Sequence, residues 1–153
     1  MKKAKHIKNI LNSFERLTGK IIIPRKSLEA DLLQIEEGEF ALVSHNGAKD
    51  PILNYGNQFA LKLWEMIWDD FIKTPSKKTA EFNERTDRDK LLKIVSKQGY
   101  IDQYEGVRIS SKGKRFLIKN ATIWNVSDEN GCLIGQAAYF HSFEYIEEIP
   151  PVK

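Results

Sequence analysis

Cysteine and long apolar runs are both scarce in this chain. Its 153 residues include a single cysteine, Cys132, so no internal disulfide can form and a reducing compartment is favoured. No apolar run approaches the ~20 residues that a membrane span needs. The N-terminus lacks the apolar stretch and the small-residue cleavage site of a secretory signal. We therefore expect a cytoplasmic protein without a membrane partner.

An excess of charge of one sign is also missing. The formal net charge of +3 is too small to indicate nucleic acid as a partner. Basic residues do crowd at the N-terminus, but such a run is typical of the solvated face of a helix. Hydrophobic residues at 41% and aromatic residues at 10% suffice for the core of a single domain.

The first forty residues have helical periodicity. Ser27 is suited to cap a second, short helix. We expect residues 1–37 to form a helical extension, 38–146 the main domain and 147–153 a frayed tail. The first helix should end at Gly19, and its apolar stripe is a candidate dimerisation surface, formed by Ile7, Ile10, Leu11, Phe14 and Leu17.

A strand–turn–helix junction between Asp50 and Met66 is the clearest local pattern. The dipeptide Asn46-Gly47 predicts the turn of a hairpin just ahead of it. Asn57 is suited to cap the following helix, because its side-chain oxygen can accept from free N–H groups of the first turn. A longer helix is predicted at residues 83–98, before a glycine.

Three strand-like segments follow, at 100–110, 115–126 and 132–143. This element order predicts an α+β fold, a five-stranded antiparallel sheet with helices on one face plus the N-terminal helical extension. The other face needs its own cover, which is either the N-terminal helix or another subunit.

Strict alternation in the middle strand predicts one shared face for Phe116, Ile118, Asn120, Thr122, Trp124 and Val126. The opposite face, which carries Leu117, Ala121 and Ile123, is apolar as well. The sequence therefore leaves open which of the two faces meets the helices.

Five short motifs, taken in order, resemble the MEKHLA domain, a PAS-like family. The resemblance spans residues 10–143, and the motifs are Val43-Ser-His-Asn46, Asp50-Pro-Ile-Leu-Asn-Tyr-Gly-Asn57, Gly106-Val-Arg-Ile-Ser-Ser111, Ala121-Thr-Ile-Trp-Asn125 and Gly135-Gln-Ala-Ala138. Membership implies a PAS-like sheet and a role in sensing a signal and modulating dimerisation. Because the residues contain no homeodomain or leucine zipper, we expect the stand-alone form of the family, without a DNA-reading role.

PAS-like domains hold haem, flavin or small metabolites between the sheet and the helices. The resemblance disfavours haem, because the predicted helix at 83–98 lacks the histidine that haem sensors use. It also disfavours a thiol–flavin adduct, since Cys132 follows a turn and does not lie on an inner helix. Three scattered histidines and one cysteine lack the close ligand spacings of a zinc site, which disfavours a structural metal. The cofactor is therefore unknown.

We expect a PAS-like sensory or ligand-binding module, with signalling or regulation through an unidentified small molecule and a homodimer, and without enzyme activity. The alternative is a ligand-free homodimerisation or protein-interaction module, and a third reading is a small enzyme. The candidate pocket residues, each also compatible with plain packing, are Trp64, Trp68, Asn120, Thr122, Trp124 and Gln136. Gln136 lies on the last strand, where flavin-binding relatives place a glutamine.

Overall fold

The structure, a computed structural model, describes residues 2–146. Its helices are α1 (Lys2–Thr18), α2 (Leu28–Glu36), α3 (Gln58–Leu63), α4 (Trp68–Phe71) and α5 (Arg85–Gln98), with 3-10 turns at Ser76–Thr79 and Phe82–Glu84. Its strands are β1 (Ala41–Asn46), β2 (Leu53–Gly56), β3 (Tyr100–Ile109), β4 (Arg115–Ser127), β5 (Leu133–Phe140) and β6 (Ser142–Tyr145). The predicted tail at 147–153 lies outside the described residues. Within them, no helix is both long and apolar enough to cross a membrane.

The strands form one antiparallel sheet in the order β2-β1-β5-β4-β3. The five-stranded antiparallel sheet predicted from the sequence is therefore confirmed. The last segment, predicted as one strand, is broken at His141 into β5 and the short β6, which pairs with the first part of β4. Because β5 pairs with both β1 and β4, it joins the N-terminal and C-terminal parts of the sheet.

Asn57 fixes the junction between the first hairpin and α3, as the sequence predicted. Its fully buried side chain accepts at Oδ1 from the backbone N–H groups of Leu42 (3.1 Å) and Ala60 (3.2 Å). Its Nδ2 donates to the carbonyls of Ile35 (2.9 Å) and Phe40 (2.8 Å). One amide thus caps α3 and ties the end of α2 to the start of β1.

Helices cover both faces of the sheet. Helix α1 packs on one face, where its stripe is buried against the chain's own sheet. Ile7, Ile10 and Leu11 are fully buried there, and the Phe14 ring lies 4.8 Å from that of Trp124. The N-terminal helix, one of the two covers that the sequence allowed, is therefore the one present. Helices α3, α4 and α5 cover the opposite face.

Strand β4 changes faces partway along its length, so the predicted strict alternation was wrong. Asn120 has a positive φ of 52°, and the register between β3 and β4 shifts beside it. Such a bulge reverses which face the following side chains occupy. Before it, Phe116 and Ile118 face α3–α5; after it, that face carries Ala121 and Ile123.

Candidate functional site

A cavity of about 70 Å³ lies between the sheet and helices α3–α5. Most of its wall is apolar, and the side chains that form this part include Leu53, Trp64, Phe71, Ile118, Ala121 and Phe140. Polar side chains also reach it, among them His45 from β1, Arg88 from α5, Arg108 from β3 and Gln136 from β5. Among its lining residues, all of which are described, none is Asp, Glu or Cys.

The cavity adjoins a wider polar cleft of about 540 Å³ between α5 and the loop that follows β1. His45, Arg88, Leu92 and Gln136 line both spaces, so they stand at the boundary between them. This loop, residues 47–52, is longer than a two-residue turn, and Asn46 Oδ1 accepts from its backbone N–H groups at residues 48 and 52. Residues 46–51 of this connection line the cleft.

Arg88 is a buried cation at this boundary. Its side chain enters from the first half of α5, and the residue is only 4% exposed. Nη2 donates to Ser76 Oγ, and Nη1 donates at 3.1 Å to the carboxylate of Asp89, whose side chain is 63% exposed. Burial, followed by the positive charge of Arg108, lowers the pKa of Arg88. Its charge is therefore only partly compensated, since a solvated carboxylate is a weak partner.

Arg108 is a second buried cation, 8% exposed, on β3. Nη1 donates to the carbonyl of Val107 (2.9 Å) and Nη2 to Tyr104 Oη (3.3 Å). The Tyr104 ring folds over Gly106, where a Cβ atom would collide with it. Within residues 2–146, no carboxylate oxygen lies within 4 Å of the Arg108 guanidinium. Buried arginines are normally paired, so this one is unusual.

Two further polar atoms at the cavity have no hydrogen-bond partner among the described residues, His45 Nε2 and Trp64 Nε1. His45 Nδ1 lies 2.9 Å from the carbonyl of Asn46 and must donate to it, which leaves Nε2 as an acceptor. Burial is the main cause that lowers the pKa of His45, so the ring is neutral near pH 7. Trp64 is 2% exposed, and its ring centroid lies 5.2 Å from that of Phe116. Buried polar atoms are rarely left unpaired.

Gln136 is the best-satisfied polar side chain of the cavity. Its Nε2 lies within hydrogen-bond distance of the Leu92 carbonyl (3.1 Å), Ser96 Oγ (3.2 Å) and Asn125 Oδ1 (3.1 Å). The amide of Asn125 in turn donates to the carbonyl of Val95 at 3.1 Å. These two amides fasten α5 to the sheet beside the cavity.

The structure brings only Trp64 and Gln136 of the six predicted pocket residues to the cavity. Trp68 packs on Tyr55 on the α1 side of the sheet. Asn120 is exposed at the bulge, and Thr122 donates to Asp102 at 3.1 Å. Trp124 is fully buried under α1, where its Nε1 donates to the Ile10 carbonyl at 3.1 Å. Thr122 and Trp124 do not line the cavity because the bulge turns their side chains away from α3–α5.

Other titratable groups lie apart from the cavity. Cys132 is exposed just before β5. Asp102 is exposed as well; burial opposes its ionisation, but hydrogen bonds from Gln103 and Thr122, together with Lys20, lower its pKa. In the described part of the chain, no three His, Cys, Asp or Glu side chains are arranged to hold a metal ion. The cavity therefore presents cationic and neutral hydrogen-bonding groups without a carboxylate or a thiol.

Arg88, Arg108 and His45 were not among the predicted pocket residues. Arg88 shares a helical stripe with Leu91 and Val95, since it precedes them by three and seven residues. A charged residue within an apolar stripe was thus a signal for Arg88. Arg108 gave no comparable signal, because β3 carries polar residues on both faces.

Comparisons with known proteins agree with this architecture. The model of the MEKHLA domain family matches residues 4–145. The structure of a PAS domain from Colwellia psychrerythraea is similar with a TM-score of 0.65 at 14% identity, over 78% of this chain and 96% of that one. A light-oxygen-voltage domain studied with a flavin analogue gives 0.60 at 11% identity, over 78% and 86% of the two chains.

A structure of an RNA-binding light-oxygen-voltage receptor is similar with a TM-score of 0.59 at 14% identity, over 77% of this chain and 35% of that chain. No curated protein matched. At these identities the structural likeness bears on the fold alone, whereas the family match covers nearly the whole length. The chain belongs to the MEKHLA domain family and has the fold of a PAS domain.

Proposed function

We propose that this protein is a sensory domain that binds a small molecule in the cavity between the sheet and helices α3–α5. The observation that supports it most directly is the concentration of unsatisfied polar groups around one apolar space. Arg108 lacks a carboxylate partner, and Trp64 Nε1 and His45 Nε2 lack any partner among the described residues. A convergent set of polar groups on an apolar wall is typical of a ligand site.

The size of the cavity limits the ligand or requires the cavity to widen. A volume of about 70 Å³ is well below the ~300–1,000 Å³ of drug-sized ligand pockets. Helix α5 is the element suited to move, because few of its side chains are buried. Such a movement would have to break the hydrogen bonds that fasten it to the amides of Gln136 and Asn125. Ligand binding between α5 and the sheet would shift this helix, and that shift would be the signal.

The test is mass spectrometry of freshly purified protein under native and denaturing conditions. We expect a mass increment in the native spectrum that disappears on denaturation, because a molecule held by the cavity would copurify. A protein prepared again after unfolding, extensive dialysis and refolding should lack the increment. The ligand-binding role is wrong if the native and denatured masses of the fresh protein agree and no compound in a small-molecule screen raises the melting temperature.

Homodimerisation is a separate prediction. Its proposed surface, the stripe of α1, is occupied by the chain's own sheet. A dimer through this stripe would require α1 to leave the sheet, which would expose Trp124 and Leu42. Light scattering of the unmodified protein from micromolar to millimolar concentration measures its mass directly. A mass of one chain throughout would exclude dimerisation.

A further inference from the structure

We propose that the ligand is a small organic carboxylate, whose anionic head binds between Arg88 and Arg108 while its apolar part fills the cavity. This inference rests on the proposed function and names the chemical class of its ligand. The juxtaposition that carries it is that of two buried guanidinium groups, from α5 and β3, on one mostly apolar cavity.

The charge of this site is out of balance. Its lining has two arginines and no acidic residue, and the sole carboxylate within ion-pair distance of either, in the described residues, belongs to the solvated Asp89. A buried charge is normally paired, because leaving water is costly without a partner. The two like charges also repel each other: the pKa of Arg88 is lowered first by burial and then by the positive charge of Arg108. An anion between them removes both problems.

The hydrogen-bond donors at the site suit a carboxylate. Each guanidinium has five N–H donors, and each uses two nitrogens on protein acceptors, so donors remain on both. The planar fork of arginine matches the two oxygens of a carboxylate. Tyr104 holds Arg108 through its hydroxyl. The Nε1–H of Trp64, which has no partner within residues 2–146, adds a neutral donor at the same cavity.

The rest of the cavity and its approach fit the same class. The apolar wall favours a ligand with a hydrocarbon part over a bare inorganic anion. The adjoining cleft is lined by more basic than acidic side chains, with Lys49, Lys77 and Lys93 among the basic ones. A cleft of net positive charge raises the local concentration of anions at its mouth.

The first measurement compares acids with their neutral amides on the full chain, after unfolding, dialysis and refolding to remove any bound molecule. Butyrate and benzoate are titrated by calorimetry and by thermal unfolding, against butyramide, benzamide and inorganic phosphate at matched ionic strength. We expect at least one acid to bind and to raise the melting temperature. The amides should bind about tenfold more weakly or worse, because they lack the charge.

The second measurement uses Arg108→Met with Arg16→Met as its matched control. Both lose one positive charge, but Arg16 is exposed on α1, on the other side of the sheet. Arg108→Met should melt at a higher temperature than the parent without ligand, because an unpaired buried charge is gone, and should lose the response to the acid. Arg16→Met should keep the parent's response. If Arg108→Met does not fold, Arg108→Lys replaces it and should bind the acid more weakly than the parent.

The outcomes separate this inference from the proposed function. Amides that bind as tightly as the acids, with Arg108→Met unaffected, would overturn the carboxylate and leave the small-molecule site intact. Phosphate that binds as well as either acid would overturn the organic part of the ligand. If neither acid binds and the native mass spectrum of the fresh protein shows a bound neutral molecule, the carboxylate is wrong as the ligand class, while the small-molecule site remains.

Discussion

Two buried tryptophans mark the difference between the two faces of the sheet. Trp124 lies under α1, and its Nε1–H donates to the carbonyl of Ile10. Trp64 lies under α3–α5, and its Nε1–H has no partner among the described residues. Both rings are about equally buried, at 0% and 2% exposure. The faces therefore differ in how well their polar groups are paired, and not in how deeply they are covered.

The α1 face behaves as a structural interface. Ser13 Oγ both donates to and accepts from the backbone of Ser127 there. On that side of the described chain, Tyr55 Oη is the one buried polar side-chain atom that lacks a hydrogen-bond partner. Among the residues that the structure describes, the other face holds two buried arginines and two unpaired polar atoms around a cavity. Unpaired groups cost stability, so a face that retains them points to function. We infer that α1 stabilises the fold and that α3–α5 enclose the binding site.

The largest expected effect is the loss of packing under α1. Phe14→Ala should lower the free energy of unfolding by about 3–5 kcal/mol, since the ring is 3% exposed and packs on Trp124. Leu92→Ala, at a half-buried side chain that already borders the cavity, should cost less than half as much. Urea denaturation measures both. Equal costs would mean that the two faces are packed alike.

A matched pair of Trp→Phe variants compares the indole N–H groups. Trp124→Phe removes a buried hydrogen bond as well as volume, whereas Trp64→Phe removes volume and a donor that no described residue pairs with. We expect Trp124→Phe to cost about 1–2 kcal/mol more than Trp64→Phe. Chemical denaturation at pH 7 measures the difference. A larger cost at Trp64 would show that its N–H has a partner.

Acid should destabilise the protein through one histidine on each face. Burial is the main cause that lowers the pKa of both His6, on α1, and His45, on β1, below their ordinary value of 6.5. Below pH 6.5 the unfolded chain therefore binds more protons at these two histidines than the folded chain does. The contribution of each neutral histidine to the free energy of unfolding is complete above pH 6.5 and is lost as the pH falls below it. His6→Gln and His45→Gln should each flatten the stability profile between pH 7 and pH 5. The exposed His141→Gln is the control, and a profile unchanged in both test variants would contradict the assignment.

The smallest expected effect on stability is at Gly106. A Cβ atom there would meet the end of the Tyr104 ring, which can swing away. Gly106→Ala should therefore cost about 1 kcal/mol or less, yet weaken benzoate binding because Arg108 loses its hydroxyl partner. Gly113→Ala is unsuitable as a control, because an alanine at a φ of +82° would itself be strained. The control is Thr18→Ala on α1, which should leave benzoate affinity unchanged. An equal loss of benzoate affinity in both variants would show that Tyr104 does not support ligand binding.

The sequence predicted the fold where local chemistry decides it. Asn57 lies at a strand–helix junction where a capping side chain is needed, and the structure confirms it there. The stops at Gly19 and Gly99 are also confirmed, both with positive φ. These signals are visible in sequence because each depends on neighbours within a few residues.

The site was harder to predict because two of its determinants are non-local. The bulge at Asn120 reverses the faces of β4, and the sequence around it alternates as if the strand were regular. Arg88 and Arg108 lie twenty positions apart and meet only through the packing of α5 on the sheet. A pocket formed from helix and sheet residues becomes visible only once the register of the sheet is known.

Binding between the sheet and α3–α5 can be observed in a two-dimensional ¹H–¹⁵N spectrum of the refolded protein during a benzoate titration. The chain has three tryptophans, so three indole signals report on three places at once. We expect the Trp64 signal to shift strongly, because a ligand fills the cavity beside it, while the Trp124 signal under α1 stays in place. A Trp64 signal that does not move at saturating benzoate, or that moves no more than that of Trp124, would contradict this prediction.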